Sequence, residues 1–332
     1  MREFFRSRAT RKGLWLWRRA YTRYPRWALL RRRLAAAAVA SSQRVAAWQT
    51  DSNAAVDPKN ITWIFCSGRS GSTWLSNMMG ELGGHHVWRE PRIGQLFGEF
   101  YAKTPKEKTK SANFIMGSPT RKAWISSIRN FALVGARHAF PLLGSKHHLV
   151  VKEPGGGVGA PFLMEALPES RMVLLVRDPR DVVASWLDAM NEGSWKKGQK
   201  WRDGSEAKAL VDKRANALVR RVAKRYLQNL QKAKQAYDAH RGPETLVLYE
   251  DLRVDTLGTM KRLYSDLGIA IDEGELSRAV EKHAWENIPE DLKGEGKFFR
   301  KASPGGWCED LTPKQAEMVE NITNPVLREF YA

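Results

Sequence analysis

Four short runs of apolar residues stand out along the chain, and each has the length and the β-branched content of a strand. They are ITWIFC at residues 61–66, HLVVK at 148–152, RMVLLV at 171–176 and TLVLY at 245–249. These runs are apolar at consecutive positions, whereas a strand with one wet face alternates apolar and polar positions. Such runs are typical of strands that are buried on both faces in a parallel sheet.

Stretches with helical periodicity separate the apolar runs. The pattern predicts helices over residues 73–82, about 178–190 and about 206–240. Strands that alternate with helices predict an α/β fold, in which a parallel β-sheet is flanked by helices. His85 and His86, which follow the first predicted helix, are expected to lie in a surface turn.

The composition is that of a globular protein with a strongly basic N-terminal arm. Of the 332 residues 42% are apolar, and 55 Lys and Arg against 36 Asp and Glu give a net charge of +19. Residues 1–50 hold thirteen Lys and Arg and a single acid, Glu3, so +12 of that charge belongs to them. We therefore divide the chain into a basic, Arg- and Trp-rich arm at residues 1–56 and a folded domain at residues 57–332.

Three interpretations of the arm stay open. It is a solvated or disordered basic segment, a segment that lies on an anionic membrane surface, or a processed targeting peptide. Its longest apolar run, residues 34–40, is far shorter than the ~20 residues of a membrane-spanning helix. No zinc-finger, homeodomain or RNP pattern accompanies the arginines, so we expect no specific nucleic-acid partner. Two cysteines are too few for a disulfide framework, and we expect a cytoplasmic protein, peripheral on a membrane if the arm binds one.

A loop rich in Gly and Ser, SGRSGST at residues 67–73, connects the first predicted strand to the first helix. In such a turn the backbone N–H groups and the helix N-terminus favour an anion, to which Arg69 and the hydroxyls add donors. A plain helix-capping turn would have the same composition. The nucleoside triphosphatase pattern G-x-x-x-x-G-K-[ST] would place Lys directly after Gly71, where this chain has Ser72. The loop therefore favours a phosphate-containing donor without magnesium, and we predict no metal site.

With this loop the sequence resembles the sulfotransferases that use 3′-phosphoadenosine-5′-phosphosulfate (PAPS). Its motifs are most similar to those of the carbohydrate-type and bacterial members. The motifs follow the family's order over roughly residues 61–312. The resemblance implies the P-loop nucleotide-hydrolase-like fold of that family. The match of CSGRSGSTWL implies that Trp74 stacks on the adenine. It also implies the residues that hold the 5′-phosphosulfate: Arg69, Ser70, Gly71, Ser72 and Thr73.

Two later segments resemble the family's 3′-phosphate site. RDPRDVVAS at residues 177–185 is similar to the segment in which Arg177 and Ser185 would contact the phosphate. FFRKASPGGWCEDLT resembles the loop R-K-G-x-x-G-x-W that closes over the same phosphate, with Arg300 and Lys301 at matching positions. Ala302 replaces the usual Gly, which leaves open how tightly this loop wraps the nucleotide. Without the family, the two segments would be a salt-bridged helix start and a basic surface loop.

Sulfuryl transfer to an alcohol needs a base at the acceptor hydroxyl and cations around the migrating group. Arg69 and Lys152 supply cations. Cytosolic family members carry a His two residues beyond such a Lys, and that position here is Pro154. Glu90 lies in VWREPRIGQLF, whose Glu-Pro pair resembles the segment with the proposed base of carbohydrate-sulfating and some bacterial members. Glu90 is therefore the first candidate for the base and Glu153 the second, although Glu153 could equally be a structural partner of a cation.

The predicted reaction moves a sulfuryl group from PAPS to an acceptor hydroxyl and yields a sulfate ester and adenosine 3′,5′-bisphosphate. The acceptor is a carbohydrate, a lipid or a small natural product, and its site is expected among residues 90–101, 111–140 and 196–201. Aromatic residues in or beside these segments would suit a sugar face, an apolar aglycone or the core: Phe97, Phe100, Tyr101, Phe114, Trp124 and Trp195. A kinase-like phosphotransferase and a non-catalytic, membrane-associated nucleotide-binding protein are the alternatives.

Overall fold

A computed structural model of the chain describes residues 56–190, 194 and 207–331. The interpretations of the N-terminal arm, the predicted segment 196–201 and Trp195 lie outside these residues. Within them, no helix is long and apolar enough to cross a membrane.

The regular elements alternate along the chain as the apolar runs predict. The strands are β1 (Ile61–Cys66), β2 (His85–Arg89), β3 (His148–Pro154), β4 (Arg171–Val176) and β5 (Glu244–Leu248). The helices are α1 (Ser72–Gly80), α2 (Ile93–Lys103), α3 (Lys106–Thr109), α4 (Arg121–Ala139), α5 (Ala160–Ala166), α6 (Pro179–Met190), α7 (Ala207–Ala239), α8 (Tyr249–Val254), α9 (Thr256–Asp266), α10 (Glu273–Lys282), α11 (Trp307–Asp310) and α12 (Pro313–Phe330). Short 3₁₀ turns cover Pro58–Asn60, Ser118–Thr120, Gly156–Gly159, Trp285–Asn287 and Glu290–Leu292.

The strands form one parallel sheet in the order β2-β3-β1-β4-β5. The central strand β1 is buried at every position. Trp63 and Phe65 belong to the apolar layer that α4, α5 and α7 cover, whereas Ile64 and Cys66 belong to the layer covered by α1, α9 and α10. Burial on both faces explains the unbroken apolar run in the sequence, and the predicted α/β fold is confirmed.

Strand β2 corrects one prediction. His85 and His86 do not lie in a surface turn: they open β2, which pairs with β3 at the edge of the sheet. The His85 ring stacks on His148 with 5.1 Å between ring centroids, and the His86 ring lies 5.1 Å from His147. Strand β2 is half-buried, and its sequence HHVWR lacks the apolar run by which the other four strands were found, whereas the other edge strand, β5, retains such a run.

A third apolar layer holds the C-terminal helix beside the sheet. Val183 of α6, Val219 of α7 and Val319 of α12 are fully buried against one another. Because α6 begins shortly after the carboxyl end of β4, this packing fixes α7 and α12 near the edge where the strands end. That edge carries most of the site residues predicted from the sequence.

Candidate active site

The carboxyl ends of β1, β3 and β4 open into a cavity of about 730 Å³. Ligands of parallel α/β sheets bind at this end of the strands. Most site residues named from the sequence line this cavity: Arg69, Gly71, Ser72, Thr73, Trp74, Glu90, Lys152, Glu153, Arg177, Ser185, Arg300 and Lys301. Ser70 belongs to the same loop but is fully buried and does not line the cavity. Its hydroxyl has no hydrogen-bond partner within the described residues.

The loop between β1 and α1 makes a sharp turn into the helix. Arg69 and Gly71 both have left-handed backbones, with φ of 75° and 88°. Gly71 is the N-cap of α1, and a Cβ on it would lie 2.5 Å from Cδ2 of Tyr249. A Cβ therefore does not fit this position unless Tyr249 moves. The first residues of α1, Ser72 to Trp74, line the cavity, and the first N–H groups of a helix favour anions.

Arg69 is fixed across the cavity by two hydrogen bonds. Its Nε donates to Oγ of Ser185 over 2.9 Å, and its Nη2 donates to the carbonyl oxygen of Phe298 over 2.9 Å. Burial lowers the pKa of the guanidinium to about 10, and the positive charges of Arg177 and Arg300 act in the same direction. Three arginines are thus brought together where each raises the free energy of the others, an arrangement that an anion would stabilise.

Arg177, directly after β4, lies 4.2 Å from the ring centroid of Tyr249 and donates to the carbonyl oxygen of Arg69 over 3.2 Å. Its Nη2 is 3.6 Å from Oδ2 of Asp181. Its Nε is buried and has no hydrogen-bond partner among the residues that the structure describes. An unmet buried donor of a charged group is costly, and a phosphate oxygen would satisfy it.

Asp181 fastens the C-terminal loop over the start of α6. The fully buried carboxylate accepts hydrogen bonds from the N–H groups of Gly305 and Trp307, both over 2.9 Å. The Arg180 guanidinium adds a contact to the Trp307 ring, with 4.2 Å to the ring centroid. Ala302 within this loop has a φ of 51°, so the left-handed backbone typical of glycine is retained although the glycine is not.

Lys152 and Glu90 meet where β3 ends beside the loop. Lys152 is 4% exposed, and its Nζ donates to Oγ1 of Thr73 over 3.0 Å and to Oε1 of Glu90 over 2.9 Å. Glu90 follows the last residue of β2, and its N–H donates to the carbonyl oxygen of Lys152 over 2.9 Å. Glu90 and Arg92 both have positive φ, 57° and 64°, a strained geometry of the kind found at functional sites.

Glu153 has a different environment from Glu90. It is 1% exposed, and its Oε1 accepts a hydrogen bond of 2.8 Å from the N–H of Ile93, the first residue of α2. Burial raises the pKa of this carboxyl to about 7, although the N–H groups of Ile93, Arg92 and Gly94 oppose the shift. Both carboxylates belong to the cavity lining, but Glu153 is engaged at the start of α2, whereas Glu90 is half-exposed.

Helix α7 supplies supports that the sequence did not reveal. Nδ2 of Asn229 donates to the carbonyl oxygen of Cys66 over 2.9 Å, and its Oδ1 accepts from the N–H of Val158 over 3.2 Å. The Tyr226 hydroxyl donates to the carbonyl oxygen of Arg177 over 2.6 Å. These side chains complete the carboxyl ends of β1 and β4. In the sequence they are polar positions on a long amphipathic helix, which gives no sign of their contacts.

The cavity extends to a second tryptophan beyond Trp74. The indole Nε1 of Trp74 donates to the carbonyl oxygen of His283 over 2.8 Å, which fixes the orientation of the ring. Arg253 lies 5.4 Å from the Trp74 ring centroid, and Trp285 completes this end of the lining. Trp74 thus presents an aromatic ring of fixed orientation, and its contact with adenine stays a prediction.

The aromatic residues expected around the acceptor lie elsewhere. Tyr101 and Trp124 pack against Phe162, with ring centroids 5.0 and 5.3 Å apart, in the layer beneath α4 and α5. None of the five described aromatics of that group lines the cavity. The apolar part of the lining comes instead from α6 and α7: Trp186, Met190, Leu218 and Val222. Phe100 is exposed, whereas the other four belong to the core or pack against it, as the sequence also allowed: Phe97, Tyr101, Phe114 and Trp124.

Comparison with known proteins identifies relatives of this arrangement. The model of a family described as the sulfotransferase family matches residues 62–273. A search of curated protein sequences returns no match. Sulfotransferase STF9 from Mycobacterium avium has a similar fold, with a TM-score of 0.52 and 14% identity over 86% of this chain and 81% of that one. Mouse sulfotransferase SULT7A1, complexed with PAP, has a TM-score of 0.51 and 11% identity over 82% of this chain and 85% of that one.

Proposed function

The chain belongs to the sulfotransferase family, and from this premise we propose that it transfers a sulfuryl group from PAPS to an acceptor hydroxyl, with Glu90 as the general base. One observation carries the proposal: the Lys152 ammonium contacts both Thr73 of the donor loop and the Glu90 carboxylate. A cation at that point lies where the donor group and the acceptor hydroxyl have to meet. Its two contacts support a site built for transfer between them.

The donor would occupy the basic side of the cavity. The loop residues Arg69, Gly71, Ser72 and Thr73 would hold the 5′-phosphosulfate, whereas the buried Ser70, whose N–H donates to the carbonyl oxygen of Ser67, would support the loop. Around the 3′-phosphate and the adenine the proposal places Arg177, Ser185, Arg300, Lys301 and Trp74. The clustered arginines, and the buried Nε of Arg177 that lacks a partner among the described residues, support a nucleotide with two separate anionic groups. The mouse sulfotransferase of similar fold, which was crystallised with PAP, also supports this choice of donor.

The reaction follows from these positions. Glu90 accepts the proton of the acceptor hydroxyl while that oxygen forms a bond to the donor sulfur. The bond from sulfur to the bridging oxygen breaks, and the electron pair leaves with adenosine 3′,5′-bisphosphate. Lys152 and Arg69 stabilise the charge that develops on the bridging oxygen and the migrating group. The products are a sulfate ester and the bisphosphate, with no covalent enzyme intermediate.

The first test is the thermal stability of the protein with adenosine 3′,5′-bisphosphate and, separately, with Mg-ATP. A ligand that binds only the folded state raises the free energy of unfolding, and with it the melting temperature. At one hundred times the Kd the gain is about 2.7 kcal/mol. We expect the bisphosphate to stabilise the protein. Arg177→Gln should abolish that stabilisation, and Arg278→Gln on the exposed face of α10 should retain it.

Two results would overturn the proposal. Stabilisation by Mg-ATP alone would favour the kinase-like phosphotransferase. Binding of the bisphosphate without sulfate transfer from PAPS to any member of a panel of hydroxylated sugars, lipids and phenols would favour a non-catalytic nucleotide-binding protein.

A further inference from the structure

One wall of the cavity carries three arginines that the proposed donor site does not use. They are Arg92, immediately before α2, and Arg221 and Arg225 of α7. The apolar side chains of Leu218 and Val222 lie between and beside them on the same wall. A ligand that contacts this wall therefore meets both positive charge and apolar surface.

The arginines of α7 follow one stripe of the helix that leads away from the sheet. Asn229 is bonded to the carbonyl oxygen of Cys66 at the end of β1, and Arg225 and Arg221 follow at successive turns. An i, i+4 spacing places such side chains on one face. Nη2 of Arg225 donates to Oε1 of Glu99 over 3.3 Å, which connects α7 to α2. Both helices thus contribute residues to this side of the cavity.

The position of Arg92 relates this wall to the reaction. Arg92 comes two residues after Glu90, and both have left-handed backbones. The start of α2, the next residue, is held by the buried carboxylate of Glu153. The backbone of Arg92 is therefore held at a fixed place close to the proposed base.

The charge of the wall is only partly neutralised. Glu99 pairs with Arg225, but within the described residues neither Arg92 nor Arg221 has a carboxylate within ion-pair distance. Both side chains are exposed at the cavity. Guanidinium groups in a concave surface attract anions and bind carboxylate, phosphate or sulfate oxygens in pairs.

The geometry points to an acceptor that itself carries an anionic group, bound by Arg92 and Arg221, in addition to the hydroxyl that is sulfated. Carboxylate, phosphate and sulfate share the required chemistry, and the apolar residues between the arginines contact the body of the same molecule. This inference rests on the proposed function, because it takes Glu90 as the place of reaction. It names the class of acceptor, which the family does not specify.

The test uses three probes that differ at one position. They are 4-nitrophenyl β-D-glucoside, the corresponding glucuronide and the corresponding 6-phosphate, and each is titrated into protein saturated with adenosine 3′,5′-bisphosphate. We expect the glucuronide or the 6-phosphate to bind about tenfold more tightly than the glucoside, a difference of about 1.4 kcal/mol. Which of the two binds more tightly shows whether carboxylate or phosphate is preferred.

The double variant R92Q/R221Q should remove that preference and leave the affinity for the bisphosphate within twofold of the wild type. The control R262Q/R278Q removes two exposed arginines of α9 and α10, outside the cavity, and should keep the preference. Equal or absent binding of all three probes, or equal loss in the control, overturns the inference. Failure of the bisphosphate itself to bind would instead overturn the proposed function, so the two failures are distinguishable.

Discussion

Lys152 and Glu90 form an ion pair of 2.9 Å in which one side chain is 4% exposed and the other 45% exposed. The buried partner belongs to the inner strand β3, so the cation is fixed there and orients the half-exposed carboxylate. The hydrogen bond uses Oε1 of Glu90, and no other hydrogen bond to this carboxylate occurs among the described residues. The second oxygen is thus available to an acceptor hydroxyl at the cavity.

Substitution of Glu90 by Gln tests this arrangement. The amide oxygen still accepts a hydrogen bond from Lys152, so the geometry is preserved while the base is lost. We expect the turnover number for sulfate transfer to fall by roughly 10²- to 10⁴-fold, the usual contribution of a positioned general base. Isothermal titration with adenosine 3′,5′-bisphosphate should give an unchanged affinity. Unchanged turnover would remove Glu90 from the mechanism.

Gly71→Ala probes the turn that opens α1. The new Cβ would lie 2.5 Å from the Tyr249 ring, and the φ of 88° adds strain for a residue with a side chain. Gly268→Ala is the matched control, because Gly268 has a φ of 61° with nothing within 4 Å of its Cβ position. Each backbone strain costs about 1–2 kcal/mol. We expect urea unfolding to show a larger loss for Gly71→Ala, and only that variant to lose affinity for the bisphosphate.

The inner strands could be predicted from sequence because burial on both faces makes them continuously apolar. The predicted run 171–176 coincides with β4, and the predicted run 61–66 coincides with β1. Strand β2 could not be predicted in this way, because its sequence HHVWR begins with two histidines and contains no run of apolar residues, unlike the other edge strand, β5.

Some residues of the candidate site could be predicted from the sequence and others could not. Arg69 and Arg177 could be named from the sequence because a short motif surrounds each and each follows a strand end, where the fold dictates a common edge. Asn229 and Tyr226 could not be named, because they reach that edge from helix α7, far along the chain from the strand ends that they contact. The local sequence around them gives no sign of such contacts. The pairing of Lys152 with Glu90 likewise depends on how β3 and β2 are aligned.

Asp181→Ala is expected to release the loop that contains Arg300 and Lys301. The carboxylate accepts from the N–H groups of Gly305 and Trp307, and its loss leaves two donors without their partner. We expect the affinity for the bisphosphate to fall about tenfold, or about 1.4 kcal/mol. Asp272→Ala is a suitable control.

Asp272 caps α10 through a 2.7 Å hydrogen bond from the N–H of Glu275. Its removal should reduce stability by about 1 kcal/mol without affecting nucleotide binding. Equal nucleotide affinity in Asp181→Ala and wild type would show that this loop does not contribute to the donor site.

Ala302→Gly should stabilise the protein, which is unusual for this substitution. At a φ of 51° alanine is strained, and glycine removes a penalty of about 1–2 kcal/mol while it adds about 0.5–1 kcal/mol of unfolded-state entropy. Thermal unfolding with saturating bisphosphate should therefore show a small rise in midpoint. Ala123→Gly, on the exposed face of α4, provides the contrast and should lower the midpoint. A fall for both would contradict the assignment of strain to Ala302.

The substitution Glu153→Gln tests whether Glu153 anchors the start of α2 or acts as the general base. Burial raises the pKa of this carboxyl from 4.5 to about 7, so the folded protein holds the proton more tightly than the unfolded chain. The stability from this group is complete below pH 4.5 and is lost as the pH rises to about 7, at about 1.4 kcal/mol for each pH unit. Glutamine does not titrate, so relative to wild type the variant should become more stable from pH 5 to pH 8 in urea unfolding.

The exposed Glu317→Gln serves as the control and should leave the pH dependence of unfolding unchanged. Activity supplies the second measurement. Because the Glu153 carboxylate is engaged by the N–H of Ile93, Glu153→Gln should retain sulfate transfer within about threefold of wild type at pH 7, far above the level expected for Glu90→Gln. If Glu153→Gln instead lost turnover as severely as Glu90→Gln is expected to, with bisphosphate binding intact, the proton would be accepted by Glu153. The role of Glu90 would then be to orient Lys152.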